Sequence, residues 1–292
     1  MRTRTLELGR RTLVMGVVNV TPDSFSDGGR FLEPEAAIAH GLRLLGEGAD
    51  LLDLGAESTR PGSLAGGGPE PAVNAEEEQA RLLPILKGIL AARPESIISV
   101  DTYKASTARA ACEAGAEIIN DVSGFEWDRG LAGVCAESGC GVVLMHTRGR
   151  PDEWGTQTQL EPDELLATVR TGLEASLEKA GLAGVARDAI VLDPGYGFGK
   201  RFGENFALLA RQGELLELGL PLLAGVSRKS FLGWALASLY GEKSAPVEAR
   251  EMASLAGMTA AILQGASVVR VHRVREAVEA AAIADAVLAA ML

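Results

Sequence analysis

The sequence predicts a closed (β/α)8 barrel, a single domain spanning residues 1–292. Three observations predict it: eight short apolar runs rich in Val, Ile and Leu, a helical pattern between most of them, and polar chemistry at the end of nearly every run. The strand candidates are residues 13–20, 50–54, 97–100, 117–120, 141–146, 189–192, 221–225 and 267–271. Continuous apolar runs of this length suit parallel strands covered on both faces. Pro34 opens the first helix and Gly48 closes it. Pro162 and Asp163 open another, whose Leu166, Val169, Leu173 and Leu177 share one face before Gly181 ends it. The last helix carries Ala277, Ala281, Ala284, Leu288 and Met291 at 4-3-4-3 spacing, a packing stripe. An open doubly wound sheet is disfavoured, because no GxGxxG follows a strand and no topological switch is evident. The glycine-rich stretch 62–71 reads as a loop at the rim rather than a linker.

Composition narrows the function. Against 39 Asp and Glu stand 28 Lys and Arg, a net charge of −11, which argues against a nucleic-acid partner. Such a surface repels anions, so an anionic substrate needs a few local cations and backbone N–H groups. The three cysteines, Cys112, Cys135 and Cys140, lack the paired spacing of a zinc site and read as buried thiols in a reducing compartment. The first residues lack a signal-peptide pattern and no run is long enough to span a membrane, so a cytoplasmic protein without membrane contact is expected.

In a parallel barrel, reactive groups come from the C-terminal ends of the strands. There the sequence offers Asn19, Glu57-Ser-Thr-Arg60, Asp101, Asn120-Asp121, His146, Asp193, Ser227-Arg-Lys229 and Arg270-Val-His272. Taken singly, Asp101 and Asp193 read as helix caps or turn formers, Asn120 as a turn residue and His146 as a core histidine. Their convergence on one rim is what points to a site. Gly195-Tyr-Gly-Phe-Gly-Lys200 is not a phosphate loop, since Pro194 occupies the first glycine position and Arg201 follows the lysine. Gly225-Val-Ser227-Arg-Lys229 is not a nucleophile elbow, since lysine replaces its second glycine. The helix start after strand seven reads as an anion site, and Arg270 with His272, two apart on one strand, as a second anion grip.

Eight segments, in chain order, together resemble the dihydropteroate synthase family. They are Met15-Gly-Val-Val-Asn-Val-Thr-Pro-Asp-Ser-Phe-Ser-Asp-Gly-Gly29, Glu57-Ser-Thr-Arg-Pro-Gly62, Ser99-Val-Asp-Thr102, Ile118-Ile-Asn-Asp121, Leu144-Met-His146, Leu192-Asp-Pro-Gly-Tyr-Gly-Phe-Gly-Lys200, Gly225-Val-Ser-Arg-Lys-Ser230 and Arg270-Val-His272. The resemblance implies a barrel that joins 6-hydroxymethyl-7,8-dihydropterin diphosphate to p-aminobenzoate, with Mg2+ as cofactor. It assigns Asp101, Asn120, Asp193 and Lys229 to the pterin, and Asn19, Arg270 and His272 to the diphosphate, Asn19 being also a metal ligand. It gives p-aminobenzoate the residues Phe25, Thr59, Arg60, Pro61, Phe198 and Ser227, so the helix start after strand seven would hold a carboxylate rather than a phosphate. Departure of diphosphate before amine attack is implied, with Asp27 stabilising the cation left behind, and Lys229, Arg270 and His272 completing the catalytic set. A homodimer is expected from the same resemblance, with the stripe of the last helix as candidate interface. Ala56, Thr147, Tyr196 and Arg273 depart from the usual family residues without removing a named contact.

Three other readings compete. A pterin-binding methyltransferase module would explain Asp101, Asn120 and Asp193 but leaves the diphosphate grip without a use. A Schiff-base aldolase with Lys229 as nucleophile is also compatible with a barrel. A non-catalytic pterin-binding subunit would have no need of polar residues on every loop.

Overall fold

The computed structural model describes residues 1–20, 34–59, 63–66, 73–241 and 244–291. Within them run β1 (Leu13–Asn19), α1 (Pro34–Gly46), β2 (Leu51–Gly55), α2 (Ala75–Ala92), β3 (Ile98–Asp101), α3 (Ala105–Glu113), β4 (Ile118–Asp121), α4 (Leu131–Ser138) and β5 (Gly141–Met145). Then come α5 (Pro162–Ala183), β6 (Ile190–Asp193), α6 (Phe202–Arg211), β7 (Leu222–Ala224), α7 (Ser230–Ala235), α8 (Ala237–Tyr240), α9 (Glu251–Leu263), β8 (Ala266–Val271) and α10 (Val274–Ala289). The eight strands close in chain order, all parallel, with β8 returning to β1. Every predicted strand lies within a residue of its observed limits, because strands covered by helices outside and side chains inside must be apolar on both faces.

Alternation along the strands separates two layers inside the barrel. Leu13, Met15, Leu51, Ile118, Val143, Leu223 and Val268 form one buried apolar cluster, with Met1, Leu6 and Leu8 packed against it. Two residues further along, the same inward faces carry Asp53 after Leu51, Asn120 after Ile118 and Arg270 after Val268. The change from apolar floor to polar mouth is therefore written into a period of two.

Helix ends explain the remaining boundaries. Asn74 caps α2 by accepting from the Glu77 N–H at 2.8 Å, and Glu76, Glu77 and Glu78 complement the positive end of its dipole. Gly181 does not end α5 as expected; the helix continues to Ala183 and closes on Gly184, whose φ of 86° suits glycine. On α10, Ala277, Ala281 and Ala284 are buried against the barrel, whereas Met291 is 76% exposed and leaves the stripe. The stripe is core and not the interface expected of it, because its alanines are spent on packing against the barrel; the exposed face of α10 is the opposite one, carrying Ile283 and Val287. All three cysteines are buried and unpaired, as read from the sequence.

Candidate functional site

Three strands meet at one carboxylate inside the mouth, and a fourth joins through the arginine bound to it. Asp53 of β2 is fully buried and accepts Arg270 Nε from β8 at 2.6 Å and Asn120 Nδ2 from β4 at 3.0 Å, both on Oδ2. Arg270 also donates through Nη2 to Asp101 Oδ2 on β3 at 3.0 Å. The guanidinium fork thus spans two carboxylates, and the rest of its N–H groups are left for a ligand. Asp193, at the end of β6, is buried and accepts the Gly195 N–H at 2.7 Å through Oδ1, while its Oδ2 turns towards the Gly225 side of the barrel.

Lys229 comes from the turn after β7 and lies with its ammonium 3.8 Å above the centre of the Phe198 ring. Arg228 takes a left-handed backbone conformation, φ 61°, to make that turn. It is held there by its N–H to Ser254 Oγ at 2.9 Å, its carbonyl from Arg250 Nη1 at 3.1 Å, and its Nε to Glu251 at 2.7 Å. The N–H of Arg228 is therefore committed within the turn that leads into the six-residue α7. Ser227 Oγ sits 2.9 Å from His272 Nδ1, which brings the end of β8 against the end of β7.

Burial sets the charges. It pushes the Asp193 carboxyl up to about 6, against the pull of the Gly195 N–H and of Lys229, Lys200 and Arg270. It raises Asp101 as well, with Arg270 opposing and Asp53 reinforcing the shift. Lys229 is lowered to about 7 by burial and then by Arg270, with Asp193 and Asp101 opposing. The site thus holds carboxylates and ammonium close to their protonation boundaries, as expected of a cleft that exchanges protons and hydrogen bonds with a ligand.

The glycine-rich segment after β6 is a scaffold. A Cβ on Gly195 (φ 71°) would collide with the His146 carbonyl oxygen, and one on Gly199 (φ 70°) would meet the Arg148 carbonyl at 2.6 Å. Lys200, buried, donates to the carbonyls of Gly195 at 2.8 Å, His146 at 3.2 Å and Phe198 at 3.3 Å. It ties the loop after β6 to the end of β5, and burial lowers it to about 7. His146 contributes through its backbone, its N–H donating to the Asp193 carbonyl at 2.9 Å; its buried ring is driven well below the usual histidine range and is neutral.

Sequence reasoning did not single out Asp53, nor the ion network beneath loop two. Glu57 is bound by Lys104 Nζ, which also lies 3.3 Å from Glu78, and Glu78 in turn accepts from Thr107 Oγ1 at 2.7 Å. The first carboxylate of the Glu57-Ser-Thr-Arg60 motif therefore anchors its loop rather than facing a ligand. The signal for Asp53 was a lone carboxylate inside the apolar run Leu51-Leu-Asp-Leu-Gly55, since unpaired charges are almost never fully buried. Thr59 and Asn19 are half-buried at the ends of loop two and β1. Phe25, Asp27, Arg60 and Pro61 lie outside the described residues. A cavity of about 370 Å³ beside the mouth, between Trp127, Met145, His146, Arg150 and Ser176, is lined by none of the polar groups joined at Asp53.

Comparison with known proteins agrees with this geometry. The pterin binding enzyme family matches residues 15–272. The dihydropteroate synthase of Mycobacterium leprae (strain TN) is 43% identical over 267 residues, covering 91% of this chain and 90% of that protein. The chain belongs to the dihydropteroate synthase family. A solved structure of Yersinia pestis dihydropteroate synthase with a sulfonamide drug complex superposes with a TM-score of 0.86 at 39% identity, covering 99% of this chain and 98% of that one. That of Xanthomonas albilineans dihydropteroate synthase in complex with 7,8-dihydropteroate gives 0.80 at 40% identity, covering 96% and 94%. The activity is accordingly that of a dihydropteroate synthase, a transferase of folate synthesis. The synthase relatives are what separates this chain from the pterin-binding methyltransferase and aldolase readings. Among the described residues no helix of this synthase is long and apolar enough to cross a membrane.

Proposed function

We propose that the chain condenses 6-hydroxymethyl-7,8-dihydropterin diphosphate with p-aminobenzoate, giving 7,8-dihydropteroate and diphosphate. The observation that carries this reading is the junction of Asp53, Asn120, Arg270 and Asp101 beside Asp193 and Lys229 at the mouth of the barrel. The 2-amino and N3–H edge of a pterin is a pair of donors, which suits the Asp193 carboxylate; Asp101 and Asn120 take the remaining ring nitrogens, and Lys229 the O4 and N5 side. Asn19, Arg270 and His272 receive the diphosphate, with β1 and β8 paired side by side. Phe198 forms one wall for the p-aminobenzoate ring, Ser227 faces its carboxylate and Thr59 its loop-two side.

The C–O bond breaks first in this reading. Diphosphate leaves with the bonding electrons, the dihydropterin ring delocalises the positive charge on its methylene carbon, and the aniline nitrogen then attacks and loses one proton. An aniline is neutral at pH 7, so the amine needs no strong base. Asn19, half-buried at the end of β1, offers one neutral oxygen, a hard donor that suits Mg2+. When bound, the cation would supply charge neutralisation to the leaving group. Asn19 would hold it through its amide oxygen.

Turnover of the two substrates to a pteroate and diphosphate, measured with and without Mg2+, tests the reading; no product from well-folded protein overturns it. Sulfonamides are expected to compete with p-aminobenzoate, and inhibition that p-aminobenzoate does not relieve would count against the shared pocket. A cytoplasmic location is proposed on the three unpaired thiols. A homodimer is proposed on the outer faces of α9 and α10, where Met252 is 77% and Ile283 68% exposed. Sedimentation of the purified protein at twice the chain mass is the expected result, and a monomer at micromolar concentration is the contrary one.

A further inference from the structure

We propose that Asp53 is a positioning residue that sets the hydrogen-bonding face Asn120 presents to the pterin ring and, through the same oxygen, the reach of Arg270. The inference rests on the assignment of Asn120 to the ring given above.

The bonds constrain the groups chemically. An ionised carboxylate only accepts, so the Asn120 atom facing Asp53 must be Nδ2, as found at 3.0 Å. One N–H is thereby consumed, and Oδ1 with the second N–H is left in a fixed order. A heterocycle edge that pairs a ring nitrogen with an amino group needs an acceptor and a donor in one order only; a flipped amide presents the reverse. Arg270 donates Nε to Asp53 at 2.6 Å and spends its own inner N–H there, while its outer nitrogen Nη2 reaches Asp101.

The position is costly for any purpose other than orientation. Asp53 is fully buried, and its Oδ1 has no hydrogen-bond partner among the described residues. An unpartnered carboxylate oxygen in a closed interior is destabilising, and an apolar residue would serve the core better. Carboxylate chemistry here serves the two side chains it holds, which arrive from β4 and β8 on either side of β2.

Asp53→Asn, Asn120→Ala and the double variant form the test, read by calorimetry with 6-hydroxymethylpterin, which lacks the leaving group, and by KM for p-aminobenzoate. Asp53→Asn lets the amide turn over, and we expect about tenfold weaker ring binding with KM for p-aminobenzoate moved less than about twofold, a split that general loosening of the barrel would not produce. The double variant should bind the ring no more weakly than Asn120→Ala alone, because Asp53 acts through that side chain. Unchanged ring affinity in folded Asp53→Asn, or fully additive losses, overturns the proposal. If Asn120→Ala itself binds the ring normally, the ring assignment of Asn120 fails first and the proposal with it, while turnover by the parent protein still stands for the overall reaction. Asp53→Ser, which keeps an acceptor without the buried charge, carries the same measurements if the Asn variant does not fold.

Discussion

Asp193→Asn is expected to bind the dihydropterin ring about 100-fold more weakly than the parent, while its unliganded form melts at the same temperature or higher. The loss follows from chemistry: a charged acceptor facing two donors becomes an amide, so one bond to a charged group is lost and two donors are brought face to face. The gain follows from burial. The Asp193 carboxyl is raised to about 6 because desolvation outweighs the Gly195 N–H and the cations around it, Lys229, Lys200 and Arg270. A folded-state value above the unfolded one, about 3.9, means stability is highest in acid and is lost as pH rises through about 4 to 6, so at pH 7 the ionised group opposes folding. An amide removes that opposition and its oxygen still accepts from Gly195. The same titration governs the ligand: ring affinity of the parent should fall as pH drops through about 6, and that of Asp193→Asn should stay flat. Calorimetric titrations at pH 5, 6 and 7.5, with thermal melts of the free proteins, decide it. A pH-independent parent, or a variant that melts well below it, contradicts this account of Asp193.

The barrel was legible because its rules are local. Parallel strands covered on both faces leave unbroken apolar runs, and the polar residue that ends each run lies at the same end of the barrel whatever its sequence distance from the next. That is why Asp101, Asn120, Asp193, Lys229 and Arg270 read as one group from the sequence alone. What joins them was not legible. Asp53 and Arg270 stand 217 residues apart and meet over β1, the strand between β2 and β8, and nothing in the spacing of either pairs them. Glu57 misled for the same reason: it ends a strand in a reactive-looking motif, yet Lys104 on the next loop and Glu78 on α2 turn it into an anchor. The helix start after β7 promised free N–H groups, but Ser254, far along the chain on α9, takes one of them. Strand order could be read from periodicity, whereas the partners of buried charges depend on which strands face one another.

Arg270→Met should lose stability and turnover together, and a second substitution should separate the two. Without the guanidinium, Asp53 is left fully buried with only the Asn120 amide on it, and Asp101 keeps its carboxylate beside it. Removing one member of a buried pair typically costs about 3–5 kcal/mol, because the remaining charge has no compensation. For a chain of this size that corresponds to a melting point lower by about 10 °C. Most of that cost belongs to Asp53, so Arg270→Met with Asp53→Asn should recover much of the melting temperature. Turnover should not recover: in the proposed reaction the outer nitrogens of Arg270 hold the departing diphosphate, and loss of such a clamp lowers kcat/KM by about 100-fold or more. Arg270→Lys retains the charge but cannot span Asp53 and Asp101 with a planar fork, so it should fall between parent and Arg270→Met in stability yet remain close to Arg270→Met in rate. Scanning calorimetry and steady-state rates on the four proteins answer both questions. Recovery of rate along with stability in the double variant would mean that Arg270 serves only the carboxylates beneath it, and the diphosphate would then need another holder at the mouth of β1 and β8.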